Sequence, residues 1–184
     1  MEGTVTLANQ LTLARIVSVL PVTAALYVQF PGNRAIATVI YAAAILTDYL
    51  DGVLARRSKE VTAFGKLMDS IADKTLIVSL FFFLVAEGSM AAWMAAIIVV
   101  REFAVTGLRV VALESGEVIA ANELGKAKMV SQSVAVLVLL LGYWQAGYWV
   151  MLLAVLLTLL SGWSYLKDAP RIIAASSTTG QGRG

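Results

Sequence analysis

From Met129 to Leu166 the chain runs 38 residues without a charged side chain, which as α-helix would extend for about 57 Å at about 1.5 Å per residue. The hydrocarbon layer of a bilayer is only about 30 Å thick and is crossed by about 20 helical residues. One span cannot use the run, so it must fold back on itself. The stretch GYWQAGYW at 142–149 supplies a turn and the aromatics of an interfacial belt.

The same measure applied upstream predicts four more helices. The first starts near Leu11 and ends at the breaker Pro31–Asn33; the second runs from Ala35 to Arg56, the third from Gly65 to Ala86, and the fourth from Met90 to Ala112. Polar, turn-prone Glu87–Ser89 separates the last two. A chain that is 59% hydrophobic and only 14% charged suits this plan, because soluble chains carry roughly a quarter charged residues. The expectation is an all-α integral membrane protein with six transmembrane helices. It forms a single domain over 1–175, and a disordered tail rich in Ser, Thr and Gly follows over 176–184.

Six spans put both termini on one side, and the basic residues choose which. Arg56, Arg57 and Lys59 lie between helices two and three, Lys126 and Lys128 between four and five, and Lys167, Arg171 and Arg183 after six. The opposite connections hold only Arg34. The excess of positive charge assigns the termini and the 57–64 loop to the cytoplasm.

The chain has no Cys and no His. Disulfides, thiolate ligands and a thiol nucleophile are excluded, and proton transfer near neutral pH falls to a carboxylate, Lys, Tyr or a metal-bound group. A net charge of +2 is too small to indicate a nucleic-acid partner.

Against this apolar background stand Asp48, Asp51, Asp69 and Asp73. Three- and four-residue spacings place each pair on one helix face, and an antiparallel hairpin about the 57–64 loop brings the two pairs to matching depth. Each Asp costs about 2.5 to 3.5 kcal/mol in mid-membrane, and four also repel one another. Bound cations resolve the conflict. An all-oxygen donor set suits two divalent ions, Mg²⁺ or Mn²⁺, and such pairs serve phosphoryl transfer. Gly52, Ala55 and Gly65 leave room for a bulky ligand, and Arg56 and Lys66 are placed to meet its phosphates. On charge alone, a cation pathway in a transporter stays open beside a metal-dependent enzyme.

The residues stand as D-x2-D-G-x2-A-R-x8-G-x3-D-x3-D from Asp48 to Asp73, with all eight fixed positions filled. This resembles the signature of the CDP-alcohol phosphatidyltransferases. The resemblance implies a six-helix core that binds a CDP-linked lipid and two divalent metals at the cytoplasmic interface, where an alcohol displaces CMP. It also implies that Asp48, Asp51 and Asp69 are metal ligands, that Asp73 is both ligand and general base, and that Gly52, Ala55, Arg56 and Gly65 line the nucleotide site.

Arg101 and Glu102 interrupt the fourth helix, Arg109 follows at eight residues, and Lys126 and Lys128 open the fifth. Arg101, Arg109 and the lysines make a basic pocket suited to an acceptor carrying a phosphomonoester. Pairing of Arg101 with Glu102, with the lysines only marking the membrane boundary, is the structural alternative. Asn9, Thr12 and Arg15 form one polar face at the start of helix one, either closing the nucleotide or acceptor site or capping the helix.

The stretches NQLTLAR at 9–15, REFAVTGLR at 101–109 and GKAK at 125–128 resemble the phosphatidylglycerophosphate synthase branch of the family, over roughly residues 7–168. Met129 stands where that branch usually has Thr, so no hydroxyl contact is expected there. The resemblance implies CDP-diacylglycerol and glycerol 3-phosphate as substrates, a homodimer, and a site facing the cytoplasm of a bacterial membrane. Inositol phosphate, serine and phosphatidylglycerol are the other acceptors of such chemistry. The basic pocket disfavours the last two, which lack a phosphomonoester.

Overall fold

The computed structural model describes the backbone at residues 17, 19–28, 30–55, 63–114 and 123–180, and side chains at the same positions except 48–55, 63–73, 113–114, 168 and 171–180. The described chain is all helical. A first helix, α1, covers residues 19–27, followed by α2 (Asn33–Ala55), α3 (Ala63–Ala86), α4 (Ala92–Glu114), α5 (Glu123–Leu140) and α6 (Trp144–Gly180). The limits of α2, α3 and α4 fall within two residues of those expected from the apolar runs.

Two of the turns are closed by the same device. Gly88 and Gly142 adopt positive φ of 81° and 86°, the left-handed conformation that lets a glycine end a helix. Ser89 N–H then donates to Leu84 C=O at 2.9 Å and Tyr143 N–H to Val138 C=O at 3.1 Å, using carbonyls the helix end would otherwise leave without partners. The long uncharged run thus folds back at Leu141–Tyr143, at the start of the aromatic segment.

The helices group into two compact units. In the first, α1, α2, α3 and the α5–α6 turn bury Val22, Leu26, Tyr41, Leu80, Phe81, Leu84, Leu139 and Leu140. Asn33 joins α1 to α2: its Oδ1 accepts from Arg34 N–H at 2.8 Å, and its Nδ2 reaches the carbonyls of Leu26 and Val28 at 3.4 Å. Arg34 is the hub of this unit. It pairs with Glu87, donates from Nη2 to Leu139 C=O at 2.8 Å and from Nε to Leu140 C=O at 3.3 Å, and lies 5.9 Å from the Trp144 ring centroid.

The second unit is built from α4, the first part of α5 and the length of α6 beyond Gly147. Its core holds Met94, Ile98, Val105, Ala112, Met151, Ala154 and Val155, and it also buries the polar residues Lys128, Gln132, Thr158 and Ser161. Outward-facing Phe82, Val100, Phe103, Trp149, Leu160 and Trp163 are more than half exposed. An apolar exterior around polar interior residues suits a lipid surrounding.

Among the described residues, Trp144–Lys167 is the helix long and apolar enough to cross a membrane by itself, where six such spans were expected. Shorter apolar helices among the described residues are Asn33–Thr47 and Lys74–Ala86, and Arg101, Glu102 and Arg109 interrupt α4. Helix α6 continues past Pro170 to Gly180. Ala169, Ala174 and Ala175 favour that continuation.

Candidate functional site

The acidic signature lies on regular helix. Asp48 and Asp51 occupy the later part of α2, and Asp69 and Asp73 the first half of α3. Gly52 and Ala55 fall near the end of α2, and Gly65 and Lys66 near the start of α3. Because helical backbone continues through both Asp pairs, each keeps its one-face spacing.

The Arg34–Glu87 pair fixes how these two helices register. It joins the first turn of α2 to the residue just after α3, so the helices run antiparallel and the Asp-bearing ends lie together at the far end. Fourteen residues separate Arg34 from Asp48, and fourteen separate Asp73 from Glu87. Both aspartates therefore sit about 21 Å along their helices from the clamp at about 1.5 Å per residue. Four Asp in a chain without His or Cys make an all-oxygen donor set whose chemistry fits hard divalent cations. Arg56, Asn9, Thr12 and Arg15 lie outside the described residues.

The basic residues gather in the second unit. Arg101 and Lys128 have side chains only 11% and 6% exposed, and both donate to Glu102 Oε1, Arg101 at 3.3 Å. Arg101 Nη2 donates to Ser161 Oγ at 2.8 Å. Arg109 Nη2 donates to the Tyr165 hydroxyl at 2.7 Å, and the Tyr165 ring centroid lies 5.5 Å from the Arg101 guanidinium and 5.3 Å from that of Arg109. Gly162 makes this possible. A side chain there would meet the Arg101 stem at 3.1 Å, so glycine lets the arginine lie against α6.

Arg101 and Lys128 meet on one carboxylate, Glu102, and among the described residues Arg109 makes no ion pair. The Nε–H groups of both arginines are buried and have no hydrogen-bond partner. Buried polar groups are almost always satisfied, and buried charge is costly unless paired. Two buried guanidinium donors without a protein acceptor are of the kind that bind an anion.

Lys126 does not join this cluster. Its side chain is 60% exposed and turns to Glu123 at 2.6 Å, an i,i+3 pair on the surface of α5. The structural alternative for Arg101 is realised in part, since it does contact Glu102, but that contact leaves its Nε unused. Sequence inspection passed over Ser161, Gly162 and Tyr165. The signal was a polar stripe, Thr158, Ser161 and Tyr165, at three- and four-residue steps in an otherwise apolar helix.

The sequence pattern of the CDP-alcohol phosphatidyltransferases matches residues 5–160. The chain belongs to the CDP-alcohol phosphatidyltransferase family. Members of this family are membrane-embedded helical bundles that use divalent metals. Among similar family members is the CDP-diacylglycerol--glycerol-3-phosphate 3-phosphatidyltransferase of Bacillus subtilis, 39% identical with 88% of this chain and 93% of the relative covered. A probable phosphatidylglycerophosphate synthase of Mycobacterium tuberculosis is 38% identical, with 94% and 86% covered. The CDP-diacylglycerol--glycerol-3-phosphate 3-phosphatidyltransferase of Rickettsia bellii is 31% identical, with 88% and 93% covered.

Proposed function

We propose that this CDP-alcohol phosphatidyltransferase moves the phosphatidyl group of CDP-diacylglycerol onto glycerol 3-phosphate, giving phosphatidylglycerol phosphate and CMP. The buried cluster of Arg101, Arg109 and Lys128 carries the choice of acceptor. Arg101 and Arg109 each keep a buried Nε–H without a protein acceptor, and a phosphomonoester brings the charged oxygens that such donors bind. Kinship with phosphatidyltransferases that carry glycerol-3-phosphate in their names supports the same choice.

Asp73 takes the proton of the acceptor hydroxyl, whose oxygen attacks the lipid-side phosphorus of the diphosphate. The new O–P bond forms as the bond to the bridging oxygen breaks, and CMP leaves with that electron pair. No covalent intermediate on the protein is required. Asp48, Asp51, Asp69 and Asp73 would hold two Mg²⁺ or Mn²⁺ ions, which would supply charge neutralisation at the diphosphate. Gly52, Ala55 and Gly65 give the nucleotide space, and Arg56, Lys66, Asn9 and Thr12 hold its polar groups. Arg15 and Lys126 belong to the approach of the anionic acceptor, outside the buried cluster.

In this reading residues 1–175 are one catalytic domain of a homodimer, with six spans in a bacterial cytoplasmic membrane and both termini and the site on the cytoplasmic side. The apolar outer surface supports the membrane placement, and the placement of basic residues its orientation. Purified protein given CDP-diacylglycerol, Mg²⁺ or Mn²⁺ and one acceptor at a time should release CMP fastest with glycerol 3-phosphate. Equal or faster release with inositol phosphate or serine would overturn the assignment.

A further inference from the structure

Both arginines of the cationic cluster meet on one side chain. Tyr165 places its ring against Arg101 and Arg109, at 5.5 and 5.3 Å, and accepts a hydrogen bond from Arg109 Nη2 at 2.7 Å. Tyr165 is 4% exposed. Two buried like charges repel, and the electron-rich face of an aromatic ring is one of the few apolar surfaces that attracts a guanidinium. The hydroxyl adds direction. A guanidinium offers its donors in a planar fork, and fixing Nη2 on an oxygen sets where the neighbouring Nε–H points. Ser161 does the same for Arg101, taking Nη2 at 2.8 Å, so both arginines are tied at Nη2 and both keep a buried Nε–H without a partner.

We propose that Tyr165 is a positioning residue for acceptor recognition, aligning the Arg101 and Arg109 forks so that their Nε–H donors converge on one phosphomonoester. Tyr165 does not touch the reacting atoms. It acts through the arginines, and its loss weakens capture of the acceptor while leaving the chemical step and the lipid substrate alone. This rests on the acceptor assignment made above.

The test uses the full chain in lipid or detergent with CDP-diacylglycerol and Mg²⁺, reading CMP release against glycerol 3-phosphate concentration. Tyr165→Phe keeps the ring and removes only the hydroxyl. It should raise the glycerol 3-phosphate KM about tenfold, the loss of one hydrogen bond to a charged group, with kcat and the CDP-diacylglycerol KM within twofold of wild type. Arg109→Lys should raise the same KM, and adding Tyr165→Phe to it should change little more, because the hydroxyl works through the guanidinium. Tyr165→Leu, which removes the ring as well, should cost more than Tyr165→Phe. An unchanged acceptor KM in Tyr165→Phe, a fall confined to kcat, or full additivity with Arg109→Lys would overturn the proposal. A wild type that turns over glycerol 3-phosphate beside an unaffected Tyr165→Phe refutes this role alone. A wild type that ignores glycerol 3-phosphate refutes the acceptor assignment and this role together.

Discussion

Arg34 is more exposed than Arg101, with 28% of its side chain accessible against 11%, and it is also the better satisfied. Each of its three nitrogens has an acceptor: Glu87 for Nη1, the Leu139 carbonyl for Nη2 and the Leu140 carbonyl for Nε. Arg101 and Arg109 show the reverse, a buried and unused Nε–H on each. Burial normally demands more complete pairing, because water cannot make up the deficit. An arginine saturated by its own chain is a tie between helices, whereas one left short keeps donors that a ligand could use.

The largest expected effect lies outside both arginine groups and sets the scale for comparing them. Asp73→Asn keeps the shape of the side chain and removes the base. Turnover should fall about a thousandfold, with thermal stability and the glycerol 3-phosphate KM near wild type. A variant that still turns over would take the role of base from Asp73.

A smaller effect, of a different kind, is expected at the saturated arginine. Arg34→Ala removes the tie between α2, the end of α3 and the last carbonyls of α5. It should cost about 2 kcal/mol of stability, seen as a lower melting temperature in detergent, while both KM values stay within about twofold. A raised acceptor KM without loss of stability would break the contrast between the two kinds of arginine.

Much of this contrast was legible in the sequence, and the part that was not has a physical reason. Helix positions could be read because apolar runs are long and their breaks, at Pro31–Asn33, Glu87–Ser89 and Gly142, are chemically plain. The acidic signature could be read because its spacing is a property of one hairpin. Arg101, Arg109 and Lys128 stood out as charges in apolar helices, but their shared partners did not. Glu102 adjoins Arg101 in sequence, yet its pairing with Lys128 links α4 to α5, and Tyr165 reaches back from α6, contacts that no local pattern encodes. Lys126 was grouped with Lys128 because they are two residues apart, a step that on a helix points them to different sides.

The most direct test of the central claim, that the under-satisfied cations hold the acceptor's phosphate, is the glycerol 3-phosphate KM of Arg101→Ala measured by CMP release at saturating CDP-diacylglycerol. The account predicts a rise of roughly thirty- to a hundredfold, the scale of losing charge-assisted hydrogen bonds, with the CDP-diacylglycerol KM little changed. An acceptor KM equal to wild type, in a variant that folds and turns over, would contradict it and leave Arg101 as a structural tie like Arg34.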